Sequence, residues 1–129
     1  MHNVTERFYI FSVFNSTGHS LDNISQHEIE METLRRQGYM PMEVNGRYNG
    51  IEELSIGFYG TNLSEPILKE LVRIHNQESF LTVFHDNAAI LTFSDGTEMV
   101  IGKWKYVDEK TALGKESYSK IGNQWFIVE

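Results

Sequence analysis

The chain reads as a two-layer α+β sandwich of the ferredoxin-like kind, with an antiparallel sheet, two helices on one face and a C-terminal β-hairpin extension. Three observations predict it. Strand-like and helix-like periodicities follow one another as strand, helix, strand, strand, helix, strand, then further strands. The first strand-like run is apolar on both faces, as a central strand should be. No linker, repeat or low-complexity stretch divides the sequence, so residues 1–129 are expected to form a single α+β domain.

Each element has its own signal. Arg7 to Phe14 (RFYIFSVF) is the doubly apolar strand. Ser25-Gln26-His27-Glu28 has the form of a capping box, with Ile24 and Ile29 spaced as its hydrophobic staple. The helix it opens should run to about Gln37, where Gly38 supplies the stop. A short strand, roughly Tyr39 to Val44, leads into Asn45-Gly46 and Asn49-Gly50, two turn signals that together predict a tightly curled loop. Glu53 to Tyr59 alternates, with Leu54, Ile56 and Phe58 on one face and Glu53, Ser55, Gly57 and Tyr59 on the other.

Ser64 is placed to cap a second helix, with Glu65 and Pro66 in its first turn and Ile67, Leu68, Leu71, Val72 and Ile74 as its buried stripe. Strands are then expected at Ser79 to Phe84, Ala88 to Phe93 and Thr97 to Lys103. Tyr118 to Ile121 and Gln124 to Val128 close the chain as a hairpin around Gly122-Asn123.

Composition excludes several functions. A net charge of −7 argues against a nucleic-acid grip, which relies on clustered Lys and Arg. The longest acidic runs, Glu52-Glu53 and the interrupted Glu28-Glu30-Glu32, are too sparse for a DNA mimic. The absence of cysteine removes disulfides, thiol nucleophiles and thiolate metal sites. No apolar run approaches the ~20 residues of a membrane span, and no signal pattern opens the chain, so a cytoplasmic location is expected.

Phosphate-loop, dinucleotide and nucleophile-elbow patterns are missing. The five histidines (His2, His19, His27, His75, His85) do not fall at metal-ligand spacing with one another, so no metal or cofactor is expected. His85-Asp86 is explained by a hairpin turn, and His75 by the dipole at a helix end.

Chemistry concentrates in Gly46 to Ser55. Ser55 and Gly57 leave a shallow groove flanked by Glu53 and Tyr59, with Tyr48 reachable from the loop. A carboxylate and aromatic rings around a groove suit a small cationic ligand. A solvated glutamate on an exposed strand face accounts for the same pattern, and periodicity leaves both readings open. The face away from the helices must also carry Tyr9, Phe11 and Val13, or else Phe8, Ile10 and Phe14. A second subunit would bury such a patch, placing the groove at a subunit boundary.

Several of these stretches resemble a known family. They are Phe8 to Ser16, Thr33-Leu34-Arg35, Asn45-Gly46-Arg47-Tyr48, Glu52-Glu53-Leu54-Ser55, Gln77-Glu78-Ser79, Tyr118-Ser119 and Trp125 to Val128. In this order, over most of the chain, they are similar to the phage-encoded S-adenosylmethionine lyases, formerly called hydrolases.

The resemblance implies a ferredoxin-like subunit in a homotrimer like that of the nitrogen-regulatory PII proteins, with sites between subunits. It implies Tyr48 and Glu53 as the catalytic residues. Because the connection between them is short here, Glu52 competes with Glu53 for the role. Gln77, Ser55, Glu52 and Phe14 are the candidate substrate-binding residues.

The implied reaction yields homoserine lactone and 5′-methylthioadenosine, and the implied role is phage counter-defence. Two non-enzymatic readings stay open: a PII-like trimeric module that binds a nucleotide without catalysis, and a phage protein that blocks host restriction by contact.

Overall fold

The computed structural model describes residues 6–14 and 20–129, without the side chains of residues 20–22. His2, and Asn15 to His19 with the end of the first resembling stretch, lie outside the described residues. The chain runs β1 (Arg7–Phe11), α1 (Ser20–Arg36), β2 (Met42–Tyr48) and β3 (Ile51–Gly60). A 3₁₀ turn at Asn62–Ser64 leads into α2 (Glu65–Ile74), followed by β4 (Ser79–Val83), β5 (Ala88–Phe93) and β6 (Glu98–Val107). The last elements are α3 (Glu109–Leu113), β7 (Tyr118–Ile121) and β8 (Gln124–Val128).

The ferredoxin-like sandwich is not what forms. The eight strands close into an antiparallel barrel in the order β1-β3-β2-β7-β8-β6-β5-β4. An open sheet of the first four strands would leave β2 and β4 as edges, and an unpaired edge presents a row of unsatisfied backbone groups. Here β7 pairs with β2, β5 pairs with β4, and β6–β8 joins them. The expected hairpin extension, β7 and β8, is not an appendage but two of the eight strands of the barrel wall.

Closure also explains the doubly apolar β1. Tyr9, Phe11 and Val13 face outward into a core shared with Met31 and Leu34 of α1, and Leu68 and Val72 of α2. Phe8 and Ile10 face inward with Val44, Leu81, Val83 and Ala89, against Trp104, Ile121 and Val128. The apolar face assigned to a partner subunit is therefore buried by the chain's own C-terminal strands.

Local elements differ in instructive ways. Helix α1 starts before Ser25, so the expected capping box lies inside it, and Ile24 and Ile29 are exposed. Its buried face is His27, Glu30, Met31 and Leu34, a spacing of one helical stripe. Gly38 ends the helix as expected, at φ 95°.

Only Asn49-Gly50 makes a hairpin turn, with φ of 53° and 84°. Asn45-Gly46 lies inside β2, because pairing on both sides with β3 and β7 overrides the local turn preference. Ser64 precedes α2 without capping it; its hydroxyl meets Tyr39 Oη at 2.8 Å instead. Glu65 then ties α2 to β1 through Arg7 (2.5 Å) and Tyr9 Oη (2.8 Å).

Candidate active site

One end of the barrel holds a cavity of about 670 Å³, within the range of small-molecule sites. Ser12, Tyr48, Glu53, Ser55, Gln77 and Ser119 line its polar side, and Leu91, Phe93, Met99, Trp104 and Phe126 form much of the apolar wall. Among the described residues no Lys, Arg or His side chain lines it, whereas Glu53 and Glu78 both do.

The polar cluster follows from strand register. Gly46 of β2 sits opposite Glu53 of β3 on one side and Ser119 of β7 on the other. These three positions form one row across three strands, pointing into the barrel. Tyr48 is two residues along β2 on the same face. Its ring folds back over Gly46 so closely that a Cβ there would lie 2.5 Å from the ring and hydroxyl. Glycine is required at position 46 for this close approach, rather than for a turn.

The Tyr48 hydroxyl thereby reaches Ser119 Oγ at 3.1 Å, and Ser55 Oγ stands 3.5 Å from Glu53 Oε1. Burial raises the Glu53 pKa above the usual carboxylate range, opposed by its contact with Ser55. Burial also raises the Tyr48 phenol, with Ser119 lowering it and the Glu53 charge raising it. A carboxylate under such desolvation gains from an incoming cation. An acidic cavity with an apolar wall therefore favours a compact, positively charged ligand that carries an apolar body.

The expected residues separate cleanly in space. Tyr48, Glu53, Ser55 and Gln77 line one cavity within a single chain. Glu52 is exposed and stands opposite Arg47, so it points out of the barrel. Phe14 is not among the lining residues; its ring meets His27, and its carbonyl accepts a hydrogen bond from Gln77 Nε2. Tyr59 lies at the opposite end of the barrel, because the Phe8 ring fills the space over Gly57 and divides the expected groove.

Ser119 and Ser12 were missed as site residues. Tyr118-Ser119 lay within a resembling stretch but carried no periodicity signal. Ser12 Oγ donates to Leu54 O at 3.0 Å and holds the end of β1 against β3.

The fold is a closed antiparallel barrel whose acidic end cavity suits a small organic cation. Residues 9–129 match the S-adenosylmethionine lyase family, and the chain belongs to it. It is thus an enzyme that cleaves S-adenosylmethionine, whose sulfonium and ammonium are the charges such a cavity favours. No curated protein gives a significant match. Among the described residues, no helix is long and apolar enough to cross a membrane.

Proposed function

We propose that the enzyme converts S-adenosylmethionine to homoserine lactone and 5′-methylthioadenosine by closing the substrate on itself. One substrate carboxylate oxygen attacks the γ-carbon. The γ-carbon–sulfur bond breaks, and its electron pair returns to sulfur as a neutral thioether. Atoms and charge balance without water entering.

The observation that carries this reading is the acidic lining, which among the described residues includes no cationic side chain. A lysine or arginine beside the substrate carboxylate would hold the very group that must attack. With none among the described lining residues, the carboxylate keeps its nucleophilic lone pair, while Glu53 takes the α-ammonium and fixes the rotamer that presents it. Tyr48 orients the same end of the substrate through its hydroxyl, backed by Ser119 and Ser55. Gln77 supports the opposite rim.

Ring closure consumes one positive and one negative charge, so a cavity that excludes bulk water favours it. Enforced proximity of nucleophile and carbon contributes up to ~7–11 kcal/mol in favourable intramolecular reactions.

Chromatography of the products, quenched early, tests the proposal. Homoserine lactone should appear before homoserine and in step with methylthioadenosine. Homoserine formed directly, with ¹⁸O from labelled water in its hydroxyl, would mean hydrolysis instead. The homotrimer and the counter-defence role rest on the resemblance. Sedimentation tests the first. Loss of S-adenosylmethionine-dependent restriction in a host expressing the chain tests the second.

A further inference from the structure

Helix α1 turns a histidine inward without giving it a hydrogen-bond partner among the described residues. His27 is fully buried, and neither ring nitrogen has a hydrogen-bond partner among the described residues. Buried polar groups in folded proteins are satisfied with few exceptions, and an exception calls for a reason. The Phe14 ring packs edge-on against the imidazole, with centroids 6.1 Å apart. His27 Nε2 lies 3.7 Å from Glu43 Oε1 on β2, beyond good hydrogen-bond range. Glu28, the next residue of α1, supplies a second carboxylate. Donor atoms of His27, Glu28 and Glu43 all fall within 4.8 Å of one another.

We propose that His27, Glu28 and Glu43 form a binding site for a divalent transition-metal ion of the zinc class, which ties α1 to β2. Two ligand atoms at about 2.1 Å from a tetrahedral ion stand about 3.4 Å apart. The His27–Glu43 separation is near that value: long for a hydrogen bond, but close to what two ligands of one ion require.

The donor set selects the metal. Imidazole favours zinc and its neighbours, whereas magnesium and calcium take oxygen ligands. Two carboxylates balance a divalent charge. Glu28 and Glu43 are exposed, which opens the site to solvent and leaves room for water as a further ligand.

None of the three residues lines the cavity at the barrel end, so the role is structural. The neighbouring Phe14 carbonyl holds Gln77, through which an ordered His27 would steady the cavity rim.

The test is calorimetric titration of metal-stripped protein with Zn²⁺, with Mg²⁺ as control, alongside thermal unfolding. Saturable binding of one Zn²⁺ per chain is expected, weakened at least about tenfold by Glu43→Gln and by Glu28→Gln. Zn²⁺ should raise the Tm of the parent and not of either variant. Both substitutions lie at exposed positions and leave the buried imidazole in place, so folding is retained. Absence of saturable binding at submillimolar Zn²⁺ would overturn the proposal. So would binding unchanged in both variants, as when His2 or His19 carries the ion.

Discussion

Along the inner face of β3, Glu53 and Ser55 open into one end of the barrel and Tyr59 into the other. The second end also holds a cavity, of about 630 Å³, so size does not set the two apart. Its wall is aromatic, with Phe8, Tyr59, Phe84, Trp104, Tyr106 and Phe126. The stacked Trp104 and Phe126 rings, 4.8 Å apart, contribute to both cavities.

Each half of β3 has its glycine, Gly46 across from it on β2 and Gly57 within it, put to a different use. Gly46 admits the Tyr48 ring next to Glu53 and builds a polar site. Gly57 admits the Phe8 ring and builds core, since a Cβ there would lie 2.6 Å from Phe8 Cζ. The contrast shows that a missing side chain makes either site or core, depending on which neighbouring ring the register brings over it.

Substitutions can break this contrast in graded steps. Glu53→Gln should cost the most, about 100-fold in kcat/KM, equivalent to roughly 3 kcal/mol from a lost charge-assisted hydrogen bond. Glu52→Gln, on the outer face, should stay within about twofold in the same assay; the reverse pattern would reassign the carboxylate. Gly46→Ala comes next, since the Tyr48 ring must leave its place. Steady-state rates should fall at least as far as in Tyr48→Phe, where loss of one hydroxyl contact corresponds to about tenfold. A Gly46→Ala enzyme faster than Tyr48→Phe would contradict the packing.

The pH profile should carry the mark of the same end. Glu53 must be ionised to hold an ammonium, and burial raises its pKa. The acid limb of kcat/KM should therefore lie above the usual carboxylate range. The sign for stability is opposite. Protonated Glu53 suits its buried place, so its contribution is fully present below the usual carboxylate range and is lost as pH rises through the folded value. In Glu53→Gln that slope should disappear from unfolding curves recorded against pH.

At the barrel centre, Gly57→Ala should lower stability by about 1–3 kcal/mol through overpacking, measured by denaturant unfolding. Its kcat per folded molecule should stay near that of the parent. Tyr106→Ala, at the aromatic end, should have the smallest effect, within about twofold in kcat/KM. A larger loss there would show that the two ends are coupled.

Much of the chain was legible from local pattern. The alternation of Glu53 to Tyr59 placed Glu53 on the face opposite Leu54, Ile56 and Phe58, but left open whether that face met a groove or solvent. Short-range turn chemistry located the Asn49-Gly50 hairpin and the final Tyr118–Val128 pair, because those signals act within a few residues. Helix α2 was found from its stripe, although Ile67 and Ile74 remain exposed. Helix α3 was missed; it is a five-residue turn capped by Asp108, too short to show a period.

By itself, then, the sequence determined the strand and helix segments, the face on which Glu53 lies, and the family likeness carried by Tyr48, Glu53 and their neighbours. Tertiary structure alone decided the rest. Closure of the barrel depends on β2 meeting β7, about seventy residues away, and no local periodicity records such a pairing. That pairing turned Gly46 from a turn into the seat of Tyr48, brought Ser119 to its hydroxyl, and buried the apolar face that had called for a partner. The same long-range folding set His27 of α1 beside Glu43 of β2, two residues that sequence spacing had kept apart. Side-chain period is written along the chain, whereas strand register is settled only when distant segments meet.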